Sequence, residues 1–171
     1  MQINNDKKKS LFIKSYGCQM NEYDSERMAE ILEPLNYFPV SEPGKADLII
    51  LNTCHIREKA AEKIYSELGR IKKINLSSKR DTKIAVAGCV GQAQGQEIIN
   101  RAPMVDLVFG PLTYHQLPEM LESIKTEKGL PKKRLVNIDV PDVDKFDELK
   151  EPRKSLKSIS SLLSIQEGCD K

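Results

Sequence analysis

Five apolar runs punctuate the chain: "SLFIKSYG" at 10–17, "ADLIILNT" at 46–53, "TKIAVAG" at 82–88, "VDLVFG" at 105–110 and "RLVNID" at 134–139. They are nearly continuous rather than alternating, which predicts strands buried on both faces. Helical spacing fills the intervals. Met28, Ile31, Leu32 and Leu35 form one stripe, with Asp24 or Ser25 expected to cap the helix and Pro34 and Asn36 to end it. Ala61, Ile64, Leu68 and Ile71 form a second stripe, and a further helix is expected around "QGQEIINRA". Leu117, Met120, Leu121 and Ile124 form the last, with Pro118 near its first turn.

Alternating strands and helices with two-sided apolar strands predict a doubly wound α/β domain over 10–139, with a mainly parallel five-stranded sheet and helices on both faces. After Asp139 the periodicity stops. Residues 140–158 are charged and contain two prolines, as a linker would be. Residues 159–171 carry "ISSLLSIQEG", a strand-like run with no further partners in the chain, and the expectation is the start of a second, truncated domain.

Composition narrows the function classes. The 171 residues are 39% hydrophobic and 30% charged, with a net charge of +2, a soluble globular profile with little to say about partners. There is no Trp and aromatic content is 5%, which argues against a stacking platform for single-stranded nucleic acid. The short basic runs, Lys7-Lys8-Lys9 among them, read as solvated faces. "MQINNDKKKS" has no apolar signal region and no run reaches the ~18 residues of a membrane span, so a cytoplasmic protein with reduced cysteines and no membrane partner is expected.

Three of the four cysteines close an apolar run: Cys18, Cys54 and Cys89, separated by 36 and 35 residues. In a parallel sheet such positions lie at one edge, the carboxyl ends of the strands, where open α/β sheets build their sites. Each precedes a helix, whose amino terminus favours a thiolate, and Gly17 and Gly88 permit close backbone approach beside two of the sulfurs. Three readings stand open: a zinc site completed by His55, an iron–sulfur cluster with one open iron, and cysteines that merely pack. Gln19, Asn21 and Asn52 flank the positions and suit hydrogen bonding to a ligand or ordinary turn chemistry. Arg57 and Glu58 open the next helix at the same edge, and His115 has no assigned role. No Ser/His/Asp set or carboxylate pair suggests hydrolysis, and "GCVGQAQG" lacks the Lys-Ser/Thr of a phosphate loop.

"SYGCQMNEYDSERMAEIL", "ADLIILNTCHIREKAAEKIYSELGRIK", "VAGCVGQAQGQEIINRAPMVDLVFGP" and "FDELKEPR" together resemble the N-terminal domain of the radical S-adenosylmethionine methylthiotransferases, from about residue 11 to the end. The form after the first cysteine resembles the MiaB-type branch, which methylthiolates C2 of N6-isopentenyladenosine beside the tRNA anticodon. The resemblance implies that Cys18, Cys54 and Cys89 ligate an auxiliary [4Fe–4S] cluster. It implies that Cys169 is the first ligand of a second [4Fe–4S] cluster, which binds S-adenosylmethionine and whose remaining cysteines are absent from this chain. On that basis the chain alone is expected to be inactive. The partner implied is tRNA, reached mainly through absent domains, and the sulfur donor is unassigned. Position 55 is His where the family usually has Ser. Rival readings are a non-catalytic remnant and a sister enzyme acting on threonylcarbamoyladenosine or a ribosomal protein. A flavodoxin-like or receiver-like module is a further rival; it would bind no iron, and the carboxylate pair that ends a receiver's first strand is missing here.

Overall fold

A computed structural model of the chain describes residues 7–55, 58–78, 81–125 and 131–140. All of the predicted linker 140–158 but its first residue, the strand expected within 159–171 and Cys169 lie outside them. The elements are β1 (Lys9–Tyr16), α1 (Gln19–Leu32), β2 (Tyr37–Pro39), β3 (Leu48–Thr53), α2 (Glu58–Ser78), β4 (Lys83–Ala87), α3 (Cys89–Arg101), β5 (Leu107–Phe109), α4 (Leu117–Ser123) and β6 (Leu135–Asn137). One sheet in the order β2-β1-β3-β4-β5-β6 joins the strands, and every pairing is parallel.

All five strands expected from the apolar runs form, and the sheet has a sixth. β2 is the three residues "YFP", paired from Lys9↔Tyr37 to Leu11↔Pro39. It is too short for an apolar run and contains a proline, tolerated because the strand lies at the sheet edge. A second correction concerns α1. It starts at Gln19 with Cys18 in the cap position, and the expected caps Asp24 and Ser25 lie buried inside it. Its end is as expected: a 3-10 turn, Glu33–Leu35, takes Pro34 into its first turn and stops at Asn36, left-handed at φ 62°.

Two apolar layers sandwich the sheet. Leu48 and Ile50 of β3 face Met28 and Leu32 of α1 and Leu117, Met120 and Leu121 of α4. Ile49 and Leu51 face Ile64, Leu68 and Ile71 of α2 and Val90, Ile98 and Ile99 of α3. β3 is buried from end to end, which is why its run shows no alternation. Because α4 shares a face with α1, the β5–α4–β6 connection has the opposite hand to β1–α1–β2, β3–α2–β4 and β4–α3–β5, against the usual uniformity of such crossovers.

An aspartate sits just before each of β3 and β5, and each ties down a neighbouring strand at the edge opposite the cysteines. Asp47 Oδ2 accepts from the Ser10 N–H at 2.7 Å and the Ser10 hydroxyl at 3.1 Å. Asp106, fully buried, accepts from the Ile84 N–H at 2.8 Å through Oδ2, while Oδ1 lies 2.8 Å from Lys132 Nζ. Its own N–H and C=O bond Ile84 and Leu135, so one residue links β4, β5 and β6.

Asp106→Ala is therefore expected to lower the unfolding free energy in urea by about 2 kcal/mol, the scale of charge-assisted hydrogen bonds lost with a buried N–H left unmet. A loss below about 0.5 kcal/mol, typical of a neutral surface change, would contradict this role. Gly91 in α3 tests the helix-to-sheet approach, because a Cβ there would lie 2.5 Å from the Phe109 carbonyl oxygen. Helix propensity alone makes Gly91→Ala stabilising by up to about 1 kcal/mol. The backbone clash is expected to win, with a net loss of about 1–3 kcal/mol by the same urea measurement; a stabilised variant would show that α3 can lift away freely.

Candidate metal centre

Sheet order decides what the cysteines can do. β1, β3 and β4 are immediate neighbours, so Cys18, Cys54 and Cys89 follow the carboxyl ends of three adjacent strands. All three are free thiols; Cys18 is exposed, Cys89 half-buried and Cys54 buried.

Backbone contacts lock the three loops together. The Cys54 N–H donates to the Tyr16 carbonyl at 2.9 Å, and Gly17, at φ +136°, comes so close that a Cβ would lie 2.5 Å from Cys54 Cβ. Gly88, at φ +85°, is pressed against β3: a Cβ there would lie 2.5 Å from Asn52 Oδ1 and 2.7 Å from the Thr53 carbonyl oxygen. Positive φ and lack of space both demand glycine at these two positions.

The Cys18 thiol donates to Asn21 Oδ1 at 3.2 Å. Asn21 Nδ2 in turn donates to Asn52 Oδ1 at 3.1 Å. Asn52 Nδ2 donates to the Asn21 carbonyl at 2.8 Å and to Ser25 Oγ at 3.0 Å, and the hydroxyls of Ser25 and Ser15 lie 2.6 Å apart. Asn21 and Asn52 thus join α1 to β3 through their amides. Gln19 is exposed on the first turn of α1. His55 is exposed, and its backbone N–H reaches the Cys89 sulfur. Glu58 is the first residue of α2, Arg57 lies outside the described residues, and His115 sits in a 3-10 turn with its Nε2 3.2 Å from Gln116 Nε2.

Cys89 does not precede α3 but opens it, with Gly88 in the cap position, and its thiol is not lowered there. Burial pushes it above its ordinary value, Cys54, Cys18 and Asp24 push the same way, and the His55 N–H pulls back more weakly than the burial. Among the described residues, no cationic side chain is one of the groups acting on it. A thiol raised by burial and by the two thiols beside it belongs to a donor set suited to a positively charged centre, because a bound metal deprotonates its thiol ligands outright. Among the described residues, however, no group of three His, Cys, Asp or Glu side chains is arranged to hold a metal ion. This applies equally to Cys18, Cys54 and Cys89 by themselves and to the same set with His55. The all-sulfur set on three adjacent strands suits a soft, sulfur-ligated group.

Ser15, Asp24 and Ser25 are site neighbours that the sequence reading did not find. A signal existed: Asn21, Asp24 and Ser25 continue the buried spacing of Met28 and Leu32 along one face of α1, polar where the stripe should be apolar.

Residues 10–110, from β1 to just past β5, match the family described as "Uncharacterized protein family UPF0004". The chain is also similar to proteins named tRNA-2-methylthio-N(6)-dimethylallyladenosine synthase. It is 56% identical over 163 residues to that of Cereibacter sphaeroides, 55% over 163 to that of Ruegeria pomeroyi and 53% over 164 to that of Ehrlichia canis. Each match covers 95% of this chain and 36% of the relative, so the chain spans about a third of the length of these enzymes. The matched stretch contains all three edge cysteines and the strands that carry them, and the chain belongs to the uncharacterized protein family UPF0004, in the MiaB-type N-terminal form that its motifs resemble.

Proposed function

We propose that this chain is the sulfur-handling N-terminal part of a tRNA methylthiotransferase that modifies C2 of N6-isopentenyladenosine next to the anticodon. The observation that carries the reading is the placement of three free cysteines at the carboxyl ends of adjacent parallel strands. The names of the relatives supply the reaction class and the tRNA substrate.

In this reading Cys18, Cys54 and Cys89 hold an auxiliary [4Fe–4S] cluster, and Cys169 belongs to a second cluster that binds S-adenosylmethionine. When bound, these groups supply transferable sulfur and the radical needed to replace an aryl hydrogen too weakly acidic for a side-chain base. The chain's own residues have separate tasks. Cys54, buried behind the end of β3, is the fixed point of the set. Gly17 and Gly88 bring the flanking loops against it without intervening side chains. Cys18, exposed at the rim, is the ligand nearest to incoming solutes. The His55 N–H supplies a backbone donor to the Cys89 sulfur, a contact that favours its ionised form. Among the described residues no helix is long and apolar enough to cross a membrane.

Anaerobic reconstitution with iron and sulfide, followed by iron counting and Mössbauer spectroscopy, tests the ligand set. The native chain and Cys169→Ala are each expected to take up about four irons. The triple variant Cys18→Ala, Cys54→Ala, Cys89→Ala is expected to take up none. Iron retained by the triple variant, or absent from the native chain while the fold is intact, would return the cysteines to core packing.

A further inference from the structure

A polar side chain is out of place at position 52. It lies near the end of β3, flanked by β1 and β4 in an apolar sheet, and is fully buried. Burying an amide there is costly unless every polar atom is paired. Asn52 pairs them: Nδ2 donates to the Asn21 carbonyl and to Ser25 Oγ, and Oδ1 accepts from Asn21 Nδ2.

Its hydrogen bonds reach the Cys18 loop, its strand leads into Cys54, and its side chain packs against the Cys89 loop. Asn52 is two residues before Cys54, which follows the end of β3 at Thr53. Through Asn21 it is one hydrogen bond removed from the Cys18 sulfur. Its Oδ1 is the nearest atom to the missing Cβ of Gly88, the residue before Cys89. The sheet register reinforces this, because Asn52 pairs with Ser15 of β1 on one side and Ala87 of β4 on the other. Ser15 closes a ring through Ser25 back to Asn52, and Ala87 is the last residue before the Gly88 turn.

We propose that Asn52 is the positioning residue of the thiol set: its buried amide fixes the Cys18 and Cys89 loops relative to Cys54, so that three sulfurs on three strands act on one ligand. A fully satisfied buried amide suits this task because its bonds are directional, whereas an apolar contact tolerates sliding. The proposal rests on the reading of Cys18, Cys54 and Cys89 as one ligand set.

Arsenite separates the two claims without iron or enzymatic activity. As(OH)3 exchanges its three hydroxyls for three thiolates and releases three waters, with arsenic unchanged in oxidation state. The reduced full chain is titrated with arsenite, adducts are weighed by mass spectrometry, and remaining thiols are counted by alkylation. The chain has four cysteines, so three-sulfur capture leaves one thiol free. The native chain is expected to show that capture. Asn52→Ala is expected to bind at least about tenfold more weakly, roughly the worth of one buried hydrogen bond, with only two thiols protected. Ile49→Val, a core cut at the amino end of the same strand, controls for general loss of stability and is expected to bind like the native chain. If Asn52→Ala does not fold, Asn52→Thr, strand-favouring but too short to bridge to α1, takes its place with the same expected loss. Native-like capture by the folded Asn52 variant, or equal weakening in Ile49→Val, overturns the positioning role. Absence of three-sulfur capture in the native chain overturns instead the reading of the cysteines as one set.

Discussion

The register of β3 between β1 and β4 is the constraint on which the rest of the molecule depends. Parallel pairing from Leu11↔Leu48 to Tyr16↔Thr53, and from Leu48↔Lys83 to Asn52↔Ala87, ends the three strands at one level. A slip of one residue would exchange the faces of β3, sending Ile49 and Leu51 toward α1 and α4. It would also move Asn52 off the α1 side and separate Gly88 from its close contact. The register is held from both ends: at the amino edge by Asp47, which accepts from Ser10 through its side chain and from the Lys83 N–H through its carbonyl, and at the carboxyl edge by Asn52. Apolar packing supplies most of the driving force, and these few directional bonds select one alignment of otherwise interchangeable Ile, Leu and Val contacts.

The site shows how a parallel sheet turns sequence distance into proximity. No local motif joins Cys18, Cys54 and Cys89, yet each βα unit returns the chain to the same edge. Two glycines, each in a conformation unfavourable for other residues, let the loops touch through backbone atoms. Burial then sets the electrostatics. With neighbouring thiols and Asp24 as the other influences that raise it, Cys89 holds its proton more tightly than a free cysteine. That environment has a chemical use only where a cation arrives to reverse it.

Much of this was legible in the sequence because it follows from apolar periodicity. The five runs became strands, and the stripes Met28/Leu32, Ile64/Leu68/Ile71 and Leu117/Met120/Leu121/Ile124 are buried against the sheet. The shared edge of the cysteines followed from parallel topology alone. What escaped were features decided by tertiary contact. β2 exists because the edge of β1 was available to three residues with no strand signal of their own. α1 begins at Gln19, earlier than its capping residues suggested, because Asp24 and Ser25 are drawn inward by the site. The amides of Asn21 and Asn52 looked equally suited to ligand or turn chemistry, and only their mutual distances show that they bind the loops to one another. The opposite hand of the β5–α4–β6 connection has no counterpart in any periodicity.

The central claim is that sulfurs from three adjacent strands ligate one iron-containing group. A crystal structure of the anaerobically reconstituted chain, with diffraction data collected at the iron absorption edge, tests it most directly. The account predicts one compact iron peak at the carboxyl edge of β1, β3 and β4, within bonding distance of Sγ of Cys18, Cys54 and Cys89. Iron bound elsewhere, or at this edge with one of the three sulfurs turned away, would contradict it.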